Sequence, residues 1–327
     1  MASEADDGAT TEVDEYVRSV EQVSIPPSIR TIVADYEAAG GERDRFLWRW
    51  IYDLLPSFTL SSVPGEYARD VRLLKTKLTI LVTLLDDVAE SDGDVATFRA
   101  ICRCVQWPDA PTSVPSGADA DLVDFAVALW RSIDADLRRA PRHDAHRSLF
   151  DYDFRQVCNA MDYSRLLNDD PSIATVGGAR RYDSHNMVVF PYSDVDLMHS
   201  PDFDRADIAP TRSVLWDLQT MARIGNWLTT WKREVREGDF SSGVVVYALQ
   251  QGIVSPEELA RGDRSTREAV VERIETHRVE ALFEAEWRQL DRRVSNRDVD
   301  AESVDLSALV AGFEGVMDHH RASEGYK

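Results

Sequence analysis

"TRSVLWDLQTMARIGNWLTTWKREVREG" occupies residues 211–238, and its reading sets the fold of the chain. It reads as one long helix ending near Gly238, a residue suited to the left-handed turn that closes helices. Within it, "NWLTTWKRE" places Asn226, Thr230 and Glu234 at i, i+4 and i+8, close to one helix face. The three side chains form a ladder about 12 Å long at about 1.5 Å rise per residue. An amide oxygen, a hydroxyl and a carboxylate make a poor apolar seam but a good site for a hard cation. Taken alone, the same ladder is equally a solvated helix face.

A second helix, "DVRLLKTKLTILVTLLDDVAE" (residues 70–90), carries apolar side chains near a 3.6-residue period. At its end Asp86 and Glu90 share a face, and Asp87 stands about 100° away. Carboxylates there meet the negative end of the helix dipole, an awkwardness that a bound cation would remove. A solvated end in an Asp-rich chain is the plainer alternative. Further helices are predicted over residues 120–140, 150–169 and 265–294, the last as one continuous element, with another starting at the Ser-Pro-Glu-Glu signal of residues 255–258. Residues 107–120 and 169–178 read as loops. The acidic "DVDLMHSPDFD" (residues 194–204) also reads as a loop, because Pro201 breaks it. Apolar "NMVVF" and "GVVVYAL" sit between helices, and no internal repeat is found. The expectation is an acidic, disordered N-terminal arm over residues 1–20 and a single all-α domain of about ten helices over 21–327.

The 327 residues are 43% hydrophobic and 9% aromatic, enough for a large core. No run of about 18 apolar residues predicts a membrane span. A net charge of −21 without a basic patch argues against nucleic-acid binding. Only four basic residues are lysines, against 33 arginines. Abundant Asp and Glu with few Lys suits a halophilic protein, since at molar salt the Debye length is about 3 Å and like charges repel little. Three cysteines without zinc-site spacing and an acidic start unlike a signal peptide fit a reduced, cytoplasmic protein.

Taken together, "DDVAE" resembles the aspartate-rich DDxx(D/E) motif of class I terpene synthases, and "NWLTTWKRE" is similar to their second motif, N-D-x-x-[S/T]-x-x-x-E. Trp227 stands where that motif usually has an acidic residue that is not a ligand. Asn226 follows Asp86 by 140 positions, about the family's spacing. The family carries a diphosphate-sensing arginine about 46 positions before that Asn, which falls on Arg180 in "GGARRYDSHN", with Arg181 as the alternative. Its linker Asp and small effector residue then match Asp183 and Ser184. The family's C-terminal Arg-Tyr pair is missing; "VMDHHRASEGYK" offers Arg321 in its place. His185 and Asn186 are not family hallmarks and read as polar lining or as core.

The resemblance implies a helical barrel and a carbon–oxygen lyase that ionises a prenyl diphosphate and cyclises the carbocation. Three Mg²⁺ ions would sit on Asp86, Asp87 and Glu90 and on Asn226, Thr230 and Glu234. Arg180, Arg181, Lys232, Arg233 and Arg321 would bind the diphosphate. Trp48, Trp50, Phe58, Phe154, Tyr163, Trp216 and Trp227 are candidates for facing the cation, with ordinary core the alternative for each. The substrate would be a C15 or C20 chain, leaning to geranylgeranyl diphosphate if the salt-adapted source is archaeal. A homodimer is compatible with the family. A chain-elongating prenyl diphosphate synthase is the nearest alternative, but it would need a second Asp-rich motif where this chain has Asn, Thr and Glu. The other is a non-catalytic isoprenoid-binding helical protein.

Overall fold

A computed structural model describes residues 15–90, 94–106, 114–297 and 299–315. Among these every regular element is helical. In chain order the α-helices are α1 (Pro27–Ala38), α2 (Arg45–Leu54), α3 (Ala68–Glu90), α4 (Val95–Gln106), α5 (Ala120–Leu137), α6 (His143–Asp169), α7 (Val176–Arg181), α8 (Val189–Met198), α9 (Ile208–Glu237), α10 (Gly243–Gln250), α11 (Pro256–Arg261), α12 (Arg264–Thr276), α13 (Val279–Ser295) and α14 (Leu306–Glu314). With a further helical segment over residues 15–21, the described residues hold fifteen α-helices, more than the expected ten, because short helices replace predicted loops and one predicted helix is split. The helix expected over 265–294 breaks at His277 and Arg278. Arg278 takes a left-handed conformation (φ 53°), and the break lets α12 and α13 both pack on α9.

Two other expectations are corrected. Residues 15–21 are helical rather than part of a disordered arm, because Val17 and Val20 are buried with Phe46, Trp50 and Leu54. Residues 1–14 lie outside the described residues, as does Arg321. The segment 194–204 is no continuous loop: Asp194 and Asp196 lie in α8, and Pro201 follows its end. Their acidity is met internally, by Arg212 beside Asp194 and by Lys75 against Asp196.

One core cluster joins α1, α3, α4, α5 and α6; the other joins α9, α10, α12, α13 and α14. Every residue of α8 is buried. It gives Tyr192, Val195 and Met198 to the first cluster and Val189, Phe190 and Leu197 to the second. A helix buried all round is hydrophobic all round unless its polar groups find partners. Alongside α8 lies a cavity of about 230 Å³, bounded also by α2, α3, α9 and α14.

Candidate active site

Both sequence motifs open onto this one cavity. Asp86 and Glu90 reach it from the C-terminal end of α3, and Asn226, Thr230, Arg233 and Glu234 from the second half of α9. Their i, i+4 spacing turns them inward together. Below this rim the walls are apolar: Leu47, Ile51, Leu54, Val82, Met187 and Leu215, with the aromatic rings of Trp50, Phe58 and Phe313. Trp50 and Phe58 were expected here. Of the other aromatic candidates, Trp48, Phe154 and Trp227 are core, Tyr163 rests against Tyr182, and Trp216 is partly exposed and packs on His185 and Phe190.

The rim is crowded with like charge. Burial, then Asp239, pushes the Glu234 carboxyl up to about 8 against the pull of Arg223. Burial, then Asp86 and Asp239, drives Glu90 well above the usual carboxylate range, although 36% of its side chain stays accessible at the mouth. Asp86 is raised as well, chiefly by burial, against the opposing field of Arg43. Asp239 was not singled out from the sequence. Gly238 closes α9 with φ 101° and turns the chain, so that Asn168 Nδ2 and the Ser241 N–H and hydroxyl hold Asp239 at the rim.

Three guanidinium groups line the same rim: Arg43, Arg223 and Arg233. Arg43 donates to Asp87 at 2.6 Å and lies 3.8 Å from Asp86 and 3.7 Å from Glu90. The Tyr36 hydroxyl donates to the other Asp87 oxygen at 2.6 Å. Asp87 does not line the cavity; it anchors Arg43, in keeping with its rotation away from the Asp86–Glu90 face. Arg223 donates two bonds of 2.7 Å to Asp183 and one of 2.6 Å to Asn226 Oδ1. Asp183 is fully buried and also accepts from Trp227 Nε1 at 3.0 Å and Ser164 Oγ at 3.2 Å. Trp227 therefore serves the frame behind the rim.

The expected diphosphate sensor sits elsewhere. Arg180 pairs with Glu286 and is about half exposed, Arg181 is exposed, and neither lines the cavity. They end a helix of only six residues, from which Arg180 reaches α13. Ser184 is buried and donates to the Arg180 carbonyl. Lys232 points away from the cavity to Glu275 and Glu280, at 2.7 and 3.3 Å. Arg223, rather than Arg180, lines the cavity. Its signal was present in the sequence, since it lies three residues before Asn226 on the same face. Arg43 had none, because it lies in a short connection between α1 and α2. Asn186 proves to be lining and donates to Asp86 at 3.1 Å, whereas His185 is buried near Gln219, Phe190 and Trp216.

Among the described residues no three acidic, histidine or cysteine side chains converge into a metal cage. The donor set still fits Mg²⁺, which takes oxygen ligands, keeps several waters and needs only one or two carboxylates beside a phosphate. The fit rests on the placement of Asp86, Glu90, Asn226, Thr230 and Glu234 around one cavity. Burial and then repulsion among the carboxylates raise Glu90 and Glu234, and a bound cation relieves that repulsion. The Thr230 hydroxyl spends its proton on the Asn226 carbonyl at 2.7 Å, leaving its lone pairs for a cation. No protein-family model matches this chain, and no curated protein matches it.

Proposed function

We propose that this protein is a class I terpene synthase, a carbon–oxygen lyase that ionises a C15 or C20 prenyl diphosphate with Mg²⁺ and releases diphosphate. The observation that carries the reading is the joining of an oxygen-rich, cation-seeking rim to an apolar pocket in one cavity. Asp86 and Glu90 on one side and Asn226, Thr230 and Glu234 on the other would hold the metal ions. When bound, Mg²⁺ supplies charge neutralisation to the leaving diphosphate. Arg43, Arg223 and Arg233 would donate hydrogen bonds to diphosphate oxygens, where charge grows as the allylic C–O bond breaks. Asp183 keeps Arg223 aimed, and Asp87 does the same for Arg43. Leu47, Ile51, Leu54 and Val82 shield the chain from water, which would otherwise quench the cation. The faces of Trp50 and Phe58 would offer it about 0.5–2 kcal/mol each.

A non-catalytic isoprenoid-binding protein is the second reading. What favours it is that Arg43 lies across Asp86, Asp87 and Glu90 while Arg223 occupies Asn226 Oδ1, so internal cations already meet several ligand oxygens. Chain elongation has no such support, since α9 offers Asn, Thr and Glu to the rim.

The test is incubation with C10, C15 and C20 prenyl diphosphates, Mg²⁺ and molar KCl, followed by gas chromatography–mass spectrometry, with Glu234→Ala alongside. A cyclic or rearranged hydrocarbon, lost in the variant, is expected. Longer diphosphates would assign elongation, and Mg²⁺-dependent binding without turnover would assign the non-catalytic role.

A further inference from the structure

The cavity floor carries polar groups that the rim chemistry leaves unused. Tyr192, Ser193 and Asp196 face it from α8, and Thr79 faces it from α3. Lys75 Nζ lies 2.7 and 2.8 Å from the two Asp196 oxygens, and both side chains are completely shielded from solvent. The ammonium also donates to the Phe58 carbonyl at 2.8 Å, and Asp196 accepts from the Leu60 N–H at 3.0 Å. The Thr79 and Tyr192 hydroxyls are 2.5 Å apart, and the buried Ser193 Oγ has no hydrogen-bond partner among the described residues. Lys75 precedes Asp86 by eleven residues of one helix, which places this floor about 16 Å from the rim at about 1.5 Å per residue. Apolar residues of similar volume stabilise a core at least as well as a buried ion pair, so folding alone does not call for one here.

We infer that Asp196 is the proton acceptor for the far end of an isoprenoid chain held in this cavity, with Lys75 as the residue that positions it. The inference rests on the reading proposed above. With diphosphate at the rim, the chain's tail lies against the floor, and positive charge that has moved along it comes to Asp196. A C–H bond next to the cationic carbon breaks, and its electron pair becomes the new C=C bond. The proton passes to an Asp196 oxygen, turning carboxylate into neutral carboxyl, and water entering as product leaves carries it off. Lys75 keeps the carboxylate ionised and fixed beforehand. Ser193 Oγ and the Thr79–Tyr192 pair sit beside it as weaker dipoles facing the same charge.

The experiment follows released inorganic diphosphate and the hydrocarbon profile separately, in the full chain with whichever prenyl diphosphate it consumes. In Asp196→Asn, the main hydrocarbon should fall at least about tenfold relative to diphosphate released, with products of earlier proton loss taking its place. Asp196→Glu should restore part of the original profile. The apolar pair Lys75→Met with Asp196→Leu should show the same shift, and it decides the matter if Asp196→Asn does not fold. An unchanged profile in the folded variants overturns the inference while leaving the enzyme reading intact. If the wild-type chain releases no diphosphate from any substrate, the reading falls and the inference with it.

Discussion

The rim and the floor of the cavity both bury carboxylates, yet they balance them in different ways. At the rim, Asp86, Glu90, Glu234 and Asp239 face one another with Arg43, Arg223 and Arg233 interspersed, and two of the acids are driven far up in pKa. At the floor, a single carboxylate meets a single ammonium inside hydrogen-bonding distance, with further backbone partners for both. The Lys75–Asp196 pair is balanced as built, whereas the rim keeps repulsion among its carboxylates. An unrelieved rim suits the proposed charged, exchangeable ligand at the mouth of the cavity.

The largest effect is expected where the balanced end is broken. Lys75→Met leaves a buried, unpaired Asp196 and should cost about 3–5 kcal/mol in urea or thermal unfolding. Adding Asp196→Leu should recover most of it, and a cost unchanged by the second substitution would deny that the two side chains work as a pair. The rim should respond in the opposite sense. Glu234→Gln removes repulsion with Asp239, so stability should hold or rise, while turnover of the prenyl diphosphate should drop by about 10²–10³.

The comparison sharpens with pH. A carboxyl whose pKa is higher in the folded state than in the unfolded chain binds its proton more readily when folded. The stability it contributes is therefore full below the unfolded value and lost as pH rises through the folded one. For Glu234 that window runs from the ordinary 4.5 to about 8, and for Asp196 from 3.8 to about 6. Without divalent cations, the melting temperature should fall between pH 6 and 8, the part of the window that belongs to the rim, and Glu234→Gln should flatten the fall. A wild-type profile already flat over that range would contradict the crowded rim.

Smaller effects test the frame behind the rim. A Cβ on Gly243 would come within 2.5 Å of the Trp227 ring, so Gly243→Ala should cost about 1–3 kcal/mol in a chemical melt. Arg180→Gln should change stability by no more than about 0.5 kcal/mol and leave turnover alone, since its half-exposed side chain pairs with Glu286 away from the cavity. A large loss of activity in that variant would favour Arg180 over Arg223 as the proposed diphosphate contact.

The helical class and the two polar ladders that line the cavity were legible because both follow from spacing along single helices. Positions i, i+4 and i+8 must share a face, and a long helix ending at Gly238 must turn there. What was not legible came from contacts between segments distant in sequence. Arg43 reaches Asp87 across 44 positions, and Lys75 reaches Asp196 across 121. The segment around Asp194 and Asp196 read as a loop because the counter-charges that let it be buried as a helix, Arg212 and Lys75, lie on other helices. Arg180 was misplaced for the converse reason: spacing along the chain fixed its position but not its direction, and at the end of the six-residue α7 its guanidinium turns to Glu286.

The most direct test of the account is calorimetric titration of inorganic diphosphate into the protein in molar KCl, with and without Mg²⁺. The account predicts binding only when Mg²⁺ is present, and its loss both in Glu90→Gln, from α3, and in Glu234→Gln, from α9. Binding without Mg²⁺, or binding that survives both substitutions, would contradict a single cation-dependent site built from the two helices.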